Sequence, residues 1–259
     1  MGSRLRDAGL AALAALTFVL VFFALRAPGQ ADTGAATSAS PSPSRSSVDE
    51  RSPSASPSST PAVSPSAALE IGPRSRVAVL GDSFAAGSGA STSDTGWVRV
   101  MAKERDWQVT NLAAPGVGYA RARANAGSYV TRVQAVVAAD PALVLITGGA
   151  NDIGLPPESV SKAVTDTVGG IRAGAPSAVI VIVTPWWDQR PADSRFAAVI
   201  DRVKRAATDS GATWLDTGQP LTGRSELLTA DGLQPNDQGH RALATTVLEQ
   251  LAKAGLISR

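Results

Sequence analysis

The stretch that decides the fold of this chain is Arg76-Val77-Ala78-Val79-Leu80-Gly81-Asp82-Ser83, a short apolar run that ends in a polar turn. Four later runs share its character, because they are rich in Val, Ile and Leu and alternate poorly with polar residues: 108–112, 142–147, 178–184 and 213–216. Such runs are typical of strands in a parallel sheet that is covered on both faces.

Helical patterns lie around these runs. They cover 96–107, 128–139, 157–173, 192–210 and 237–254. Strands that alternate with helices predict an α/β fold, here with a parallel five-stranded sheet and helices on both sides. Ligands of such folds bind at the carboxyl ends of the strands. The residues that follow each strand are therefore the candidates for chemistry.

Two segments of different composition precede this domain, which we place at 71–259. Residues 1–26 contain an uncharged apolar run, 8–25, after Arg4 and Arg6. A run of that length can just span a membrane, so we expect an uncleaved anchor or a cleaved signal peptide. The basic residues would stay inside, which predicts an extracytoplasmic domain held at the cell membrane by a single pass, or secreted after cleavage. Residues 27–70 are dominated by Ser, Pro, Ala and Thr, which predicts a disordered linker.

The composition excludes several classes of function. The 259 residues include 24 basic and 22 acidic side chains, one histidine and no cysteine. Disulfides, zinc–thiolate sites and thiol nucleophiles are therefore impossible, and a histidine-rich metal site is too. The net charge of +2 does not indicate nucleic-acid binding. No phosphate loop or dinucleotide fingerprint is present, so we expect neither a metal nor a cofactor.

Four short motifs lie where the chemistry is expected. They are Gly81-Asp82-Ser83 after the first strand, Pro115-Gly116-Val117 after the second, Gly149-Ala150-Asn151-Asp152 after the third, and Asp231-Gly232-Leu233-Gln234 before the last helix. Each alone also fits an ordinary cap or turn.

In this order the four motifs resemble the SGNH hydrolase family, also called the GDSL esterase/lipase family, over residues 75–255. The resemblance implies a flavodoxin-like three-layer α/β/α sandwich that hydrolyses carboxylic esters through an acyl-serine. It implies Ser83 as the nucleophile. It also implies an oxyanion hole formed by the amides of Ser83 and Gly116 and the side chain of Asn151. The substrate would be a small-molecule, glycan or lipid ester.

The last motif departs from the family pattern Asp-x-x-His, because Gln234 stands three residues after Asp231 where the histidine is usual. An amide cannot accept a proton near neutral pH as imidazole does. In other serine hydrolases, loss of the base lowers kcat by roughly 10⁶. Two substitutes remain open. One is His240, which closes a second Asp-x-x-His at 237–240, and the other is Asp231, if burial raises its pKa.

Further polar and aromatic residues flank these motifs. Trp186 and Trp187 follow the fourth strand, where they could line an acyl or sugar pocket or simply pack the loop. Arg121 and Arg123 could meet an anionic substrate or lie on a solvated surface. Three functions remain open: an exported ester hydrolase of weak turnover that uses Ser83, an impaired binding module for acylated or carbohydrate cell-envelope ligands, and a cell-wall acyltransferase.

Overall fold

The computed structural model describes residues 70–188, 190–191 and 193–258. The expected anchor or signal segment, 1–26, and the linker up to residue 69 lie outside the described residues. Among the helices that are described, none has both the length and the apolar character needed to cross a membrane.

The described residues form one five-stranded sheet. Its strands are β1 (Arg76–Leu80), β2 (Gln108–Asn111), β3 (Leu143–Ile146), β4 (Val179–Val183) and β5 (Thr213–Leu215). All neighbouring strands run parallel in the order β2-β1-β3-β4-β5, which is the flavodoxin-like order. The predicted parallel sheet is confirmed, and each strand lies within one residue of its predicted bounds.

Six α-helices accompany the sheet in the described part of the chain. They are α1 (Ser83–Ala86), α2 (Trp97–Arg105), α3 (Val133–Ala138), α4 (Pro157–Gly174), α5 (Ser194–Asp209) and α6 (Asp237–Lys253). The predicted helix over 128–139 is split, because a 3₁₀ turn, Val130–Arg132, precedes α3. The short helix α1 has no apolar periodicity of its own and was not predicted from the pattern.

The sheet is the middle of three layers, and strand periodicity decides which layer each side chain joins. Val77 and Val79 of β1 face a core completed by α2 and α6. Ala78 and Leu80 face the opposite core, which is completed by α3, α4 and α5. Every side chain of β3 is buried, which is why its sequence reads as an unbroken apolar run.

Candidate functional site

Ser83 stands at the carboxyl end of β1 as the first residue of α1. The turn before it is tight, because a Cβ on Gly81 would lie 2.5 Å from the Cβ of Ala85. The Ser83 side chain is half-buried, and its hydroxyl makes no hydrogen bond to any other residue in the described ranges. The hydroxyl is therefore available to a substrate at the edge of the sheet where ligands are expected.

Asp82 turns in the opposite direction, into the protein, and is 7% exposed. Its Oδ1 accepts a hydrogen bond of 3.1 Å from the amide of Phe84, which caps α1. Its Oδ2 lies beside Gly148 at the end of β3, where a Cβ would be 2.8 Å away. Burial raises the pKa of Asp82 to about 7, and the nearby Asp152 carboxylate adds to the rise.

Hydrogen bonds connect the segments that carry the second and third motifs. The Nδ2 of Asn151 donates to the carbonyl of Val117 at 2.8 Å. The carboxylate of Asp152 is 1% exposed and accepts the amides of residues 119, 120 and 121 at 2.8, 3.0 and 2.8 Å. The loop that carries Gly116 therefore has a fixed relation to Asn151, and one N–H of the Asn151 amide remains for another acceptor.

Two arginines lie against these same residues. Gly116 has a φ of +75°, and a Cβ added there would lie 2.7 Å from the Nε of Arg123. Arg123 Nε donates to the carbonyl of Gly116 at 3.3 Å. Arg121 Nε donates to the carbonyl of Asn151 at 3.0 Å. Both guanidinium groups therefore flank the candidate oxyanion donors.

Gln234 packs against the loop that follows the serine. A Cβ on Gly89 would lie 2.8 Å from the Cβ of Gln234, and Gly89 has a φ of +88°. That loop folds back on Ser83, because the amide of Ser88 donates to the carbonyl of Ser83 at 2.9 Å. The Oε1 of Gln234 is buried and finds no hydrogen-bond partner among the described residues. An amide side chain therefore lies against the loop that follows α1.

Asp231 lies on the surface of the same loop. Its Oδ1 accepts hydrogen bonds from the hydroxyl of Thr229 at 2.6 Å and from the amide of Leu233 at 3.0 Å. The Thr229 hydrogen bond, followed by that of Leu233, lowers the pKa of Asp231 below its ordinary value. The burial that would make this carboxylate a better base is absent at this position.

His240 is fully buried, at 0% exposure, in the first turns of α6. Its Nδ1 accepts the amide proton of Trp97 at 3.3 Å. Its Nε2 lies 3.1 Å from the carbonyl of Ser88, so the hydrogen-bond network assigns the ring proton to Nε2. Burial lowers the pKa of the imidazole. The ring is therefore neutral, and both of its nitrogens are engaged by backbone rather than by the Ser83 hydroxyl.

The two tryptophans have different surroundings. Trp186 is 4% exposed and packs edge-to-face on Trp97, with 5.3 Å between ring centroids. Trp187 is half-buried between Phe196, at 4.7 Å, and the guanidinium of Arg190, at 5.2 Å from the ring. Trp186 is therefore part of the core, and Trp187 retains surface that a ligand could touch.

The sequence reasoning missed the role of Asp237, the first residue of α6. Its Oδ1 accepts the amide of Ser91 and the hydroxyl of Thr95, both at 2.8 Å, and its Oδ2 accepts the Ser91 hydroxyl at 2.6 Å. These bonds lower the pKa of Asp237 to about 2. An acidic residue in the first turn of a helix predicts an interaction with that helix's own N-terminus. It does not predict the hydrogen bonds to Ser91, which is 146 residues earlier in the sequence.

Metal ligands are not gathered in this region. Among residues 70–188, 190–191 and 193–258, no group of three or more His, Asp or Glu side chains is placed to hold a metal ion. What the arrangement offers is a serine hydroxyl, candidate amide donors and two guanidinium groups at one edge of the sheet. This set suits chemistry in which an oxygen becomes negatively charged.

This chain is similar to a known protein family and to one named protein. A family model described as "GDSL-like Lipase/Acylhydrolase family" matches residues 79–242. The GDSL lipase Rv0518 of Mycobacterium tuberculosis is 31% identical over 188 residues, which cover 66% of this chain and 79% of that protein.

Two solved structures share the fold. The psychrotrophic esterase EstA from Pseudoalteromonas sp. has a TM-score of 0.58 at 21% identity, over 70% of this chain and 98% of its own. A family two carbohydrate esterase from Clostridium thermocellum, solved with cellohexaose, has a TM-score of 0.58 at 14% identity, over 72% of this chain and 66% of its own. The family match and the mycobacterial relative together show that this chain belongs to the GDSL-like lipase/acylhydrolase family.

Proposed function

We propose that this protein is an exported serine ester hydrolase in which the acyl-serine forms at Ser83 and turns over slowly. The Oγ of Ser83 bonds to the acyl carbon, the ester C–O bond breaks, and the alcohol leaves with the proton that Oγ has lost. Water then releases the acid and restores the serine. The observation that carries the proposal is that hydrogen bonds hold the Gly116 loop and the Asn151 loop together. Both loops follow the carboxyl ends of strands, as Ser83 does.

The donors of the oxyanion hole would be the amides of Ser83 and Gly116 and the Nδ2 of Asn151. Donors stabilise a developing oxyanion best when their positions are fixed before the reaction. The bond from Asn151 to Val117 and the three amides held by Asp152 supply that rigidity. Removal of one such donor typically lowers kcat by about 10²–10³.

Slow turnover follows from the side chain at position 234. Gln234 carries an amide, and an amide does not take up the proton of the Ser83 hydroxyl as an imidazole does. Asp231 is exposed with a lowered pKa, and His240 is neutral with both nitrogens engaged, so neither supplies an equivalent base. Water or hydroxide would carry the proton from Oγ to the leaving alcohol, and the rate should rise with pH.

Acylated glycans, lipids or small esters of the cell envelope are the substrates that we propose. Trp187, which follows β4, is half-buried beside Phe196 and Arg190, and its exposed part could contact a sugar or an acyl chain. A carbohydrate esterase solved with cellohexaose has the same fold, which supports a glycan ester. The apolar run 8–25 supports export, either with a single membrane pass or after cleavage.

The test compares hydrolysis of p-nitrophenyl acetate and butyrate by the full chain and by Ser83→Ala, Gln234→His and His240→Ala. We expect low activity that is lost in Ser83→Ala and rises sharply in Gln234→His. Intact-mass spectrometry should show an acyl adduct on the wild type and none on Ser83→Ala. Robust wild-type activity that His240→Ala abolishes would instead make His240 the base and refute the slow-turnover proposal.

The buried Oε1 of Gln234, which has no hydrogen-bond partner in the part of the chain that the structure describes, also favours a second candidate, a binding module with little turnover. That function predicts that an acylated glycan binds wild type and Ser83→Ala equally and forms no covalent adduct. A cell-wall acyltransferase would instead form the adduct and pass the acyl group to an added sugar hydroxyl faster than to water. Product analysis with and without the sugar separates these outcomes.

A further inference from the structure

The loop after the second motif carries two cationic groups, Arg121 and Arg123, that lie beside the candidate oxyanion donors. Each bonds one backbone carbonyl through Nε alone, Arg121 that of Asn151 and Arg123 that of Gly116. Within the described ranges, no carboxylate oxygen lies within 4.0 Å of either guanidinium group. By contrast, Arg76 pairs with Asp140 at the opposite edge of the sheet.

A neighbouring arginine shows what a purely structural role looks like here. Arg132 donates from both Nε and Nη1, to the carbonyls of Ala126 and Leu112, and so braces the two ends of this loop. Arg123 leaves its Nη groups without an acceptor among the described residues. A guanidinium group has five N–H donors in a planar fork that matches a carboxylate or a phosphate.

Only a glycine at position 116 allows this arrangement. A Cβ there would lie 2.7 Å from Nε and 2.9 Å from Nη2 of Arg123, so the guanidinium group rests directly on the glycine. The amide of Gly116 is a proposed donor to the scissile carbonyl. An anionic group a few bonds from that carbonyl would therefore come within reach of the free Nη groups of Arg123.

The Asp152 carboxylate, which binds the amides of this loop, has no oxygen left for a guanidinium group. Asp152 is buried, and its two oxygens accept hydrogen bonds from the amides of residues 119, 120 and 121. Burial raises the pKa of Asp152, and the Arg121 charge offsets part of that rise, so part of the Arg121 charge is balanced locally. Arg123 is exposed and is the stronger candidate for an external anion.

We infer that Arg123, assisted by Arg121, forms an anion subsite that selects esters bearing a carboxylate or phosphate close to the scissile carbonyl. The inference rests on the proposed ester hydrolysis at Ser83. It assigns specificity to the loop between the second and third motifs, and it names acidic esters as the preferred substrate class.

The test uses esters matched in size and different in charge. On the acyl side, 4-nitrophenyl monoadipate is compared with 4-nitrophenyl hexanoate; on the alcohol side, 4-acetoxy-3-nitrobenzoate is compared with 4-nitrophenyl acetate. Wild type should favour the acidic ester of at least one pair, and Arg123→Gln should lower that ratio of kcat/KM about tenfold. Added salt should lower the wild-type ratio as well. Arg76→Gln removes the same charge at the far edge and should leave the ratio unchanged.

The inference is overturned if Arg123→Gln and Arg76→Gln give the same ratio. It is also overturned if Arg123→Gln lowers kcat/KM for the acidic and the neutral esters by the same factor. That result would mean that Arg123 only holds the Gly116 turn in place. Failure of the proposed function looks different: the neutral esters would then be hydrolysed equally by wild type and Ser83→Ala. In that case binding of free adipate, followed by thermal shift in wild type and Arg123→Gln, still decides whether the subsite exists.

Discussion

Replacement of Gln234 by histidine should raise kcat/KM for simple esters by about 10²–10³, because it returns a base to a place that is still shaped for one. The side chain at position 234 packs against Gly89 in the loop that follows α1. The buried Oε1 has no partner among the described residues, so an imidazole nitrogen placed there loses no existing bond. Asp231, three residues earlier, has a lowered pKa and is ionised at neutral pH, as an orienting acid must be.

The magnitude follows from the state of Asp231. A positioned general base typically contributes about 10²–10⁴, or about 3–5 kcal/mol at 1.36 kcal/mol for each factor of ten. Asp231 is exposed, and its Oδ1 already accepts bonds from Thr229 and Leu233, so only Oδ2 is left to orient a new imidazole. We therefore expect the lower half of the range, about 3–4 kcal/mol of barrier.

The assay is kcat/KM for p-nitrophenyl butyrate between pH 5 and 9. The imidazole must be neutral to accept the proton, so activity of Gln234→His should rise through a pKa near 6.5 and then level off. Gln234→Asn is the matched control, because it changes the side chain without adding a titratable group. The reasoning is refuted if Gln234→His is no faster than Gln234→Asn, or if the gain survives when Ser83 is also alanine.

Three further predictions concern stability, measured by urea unfolding. Gly89→Ala should lower the free energy of unfolding by at least about 1–3 kcal/mol, because φ is +88° and the new Cβ would lie 2.3 Å from the carbonyl oxygen of Pro235; an unchanged midpoint would contradict this. His240→Phe should lower it by about 2–4 kcal/mol, since the buried amide of Trp97 and the part-buried carbonyl of Ser88 lose their partners; a loss no larger than that of the exposed control Arg76→Gln would refute it. The pKa of Asp82 is about 7 in the folded protein and ordinarily 3.8, so the folded state binds more protons between these values. Stability should therefore fall by a few kcal/mol at most as pH rises from 4 to 7, and Asp82→Asn should remove much of that slope; equal slopes would refute the buried carboxyl.

The strands of the sheet could be predicted from the sequence because strands that are buried on both faces form unbroken apolar runs. The run that became β3 is apolar at every position, and the structure buries every one of them. Helix α1 escaped prediction because its four residues are too few to show a period. The 3₁₀ turn at Val130–Arg132 shortened a predicted helix, because the spacing of apolar residues does not distinguish a 3₁₀ turn from an α-helical turn.

Strand ends also located most of the candidate site, because a parallel sheet brings them to one edge. The contacts between distant loops were not readable. His240 binds the backbone of Ser88, 152 residues away, and a lone histidine in a sequence gives no sign of such a partner. The stacking of Arg123 on Gly116 depends on how one loop folds back on itself, and composition and spacing do not encode that turn.

His240 is fully buried and can serve as an intrinsic spectroscopic label. It is the sole histidine of the chain, so an imidazole NMR signal needs no assignment. The ring touches both the loop after the nucleophile and the start of α2, through Ser88 and Trp97. A single resonance therefore reports, without any added tag, whether the junction between these two segments is intact in every variant that keeps His240 as its only histidine.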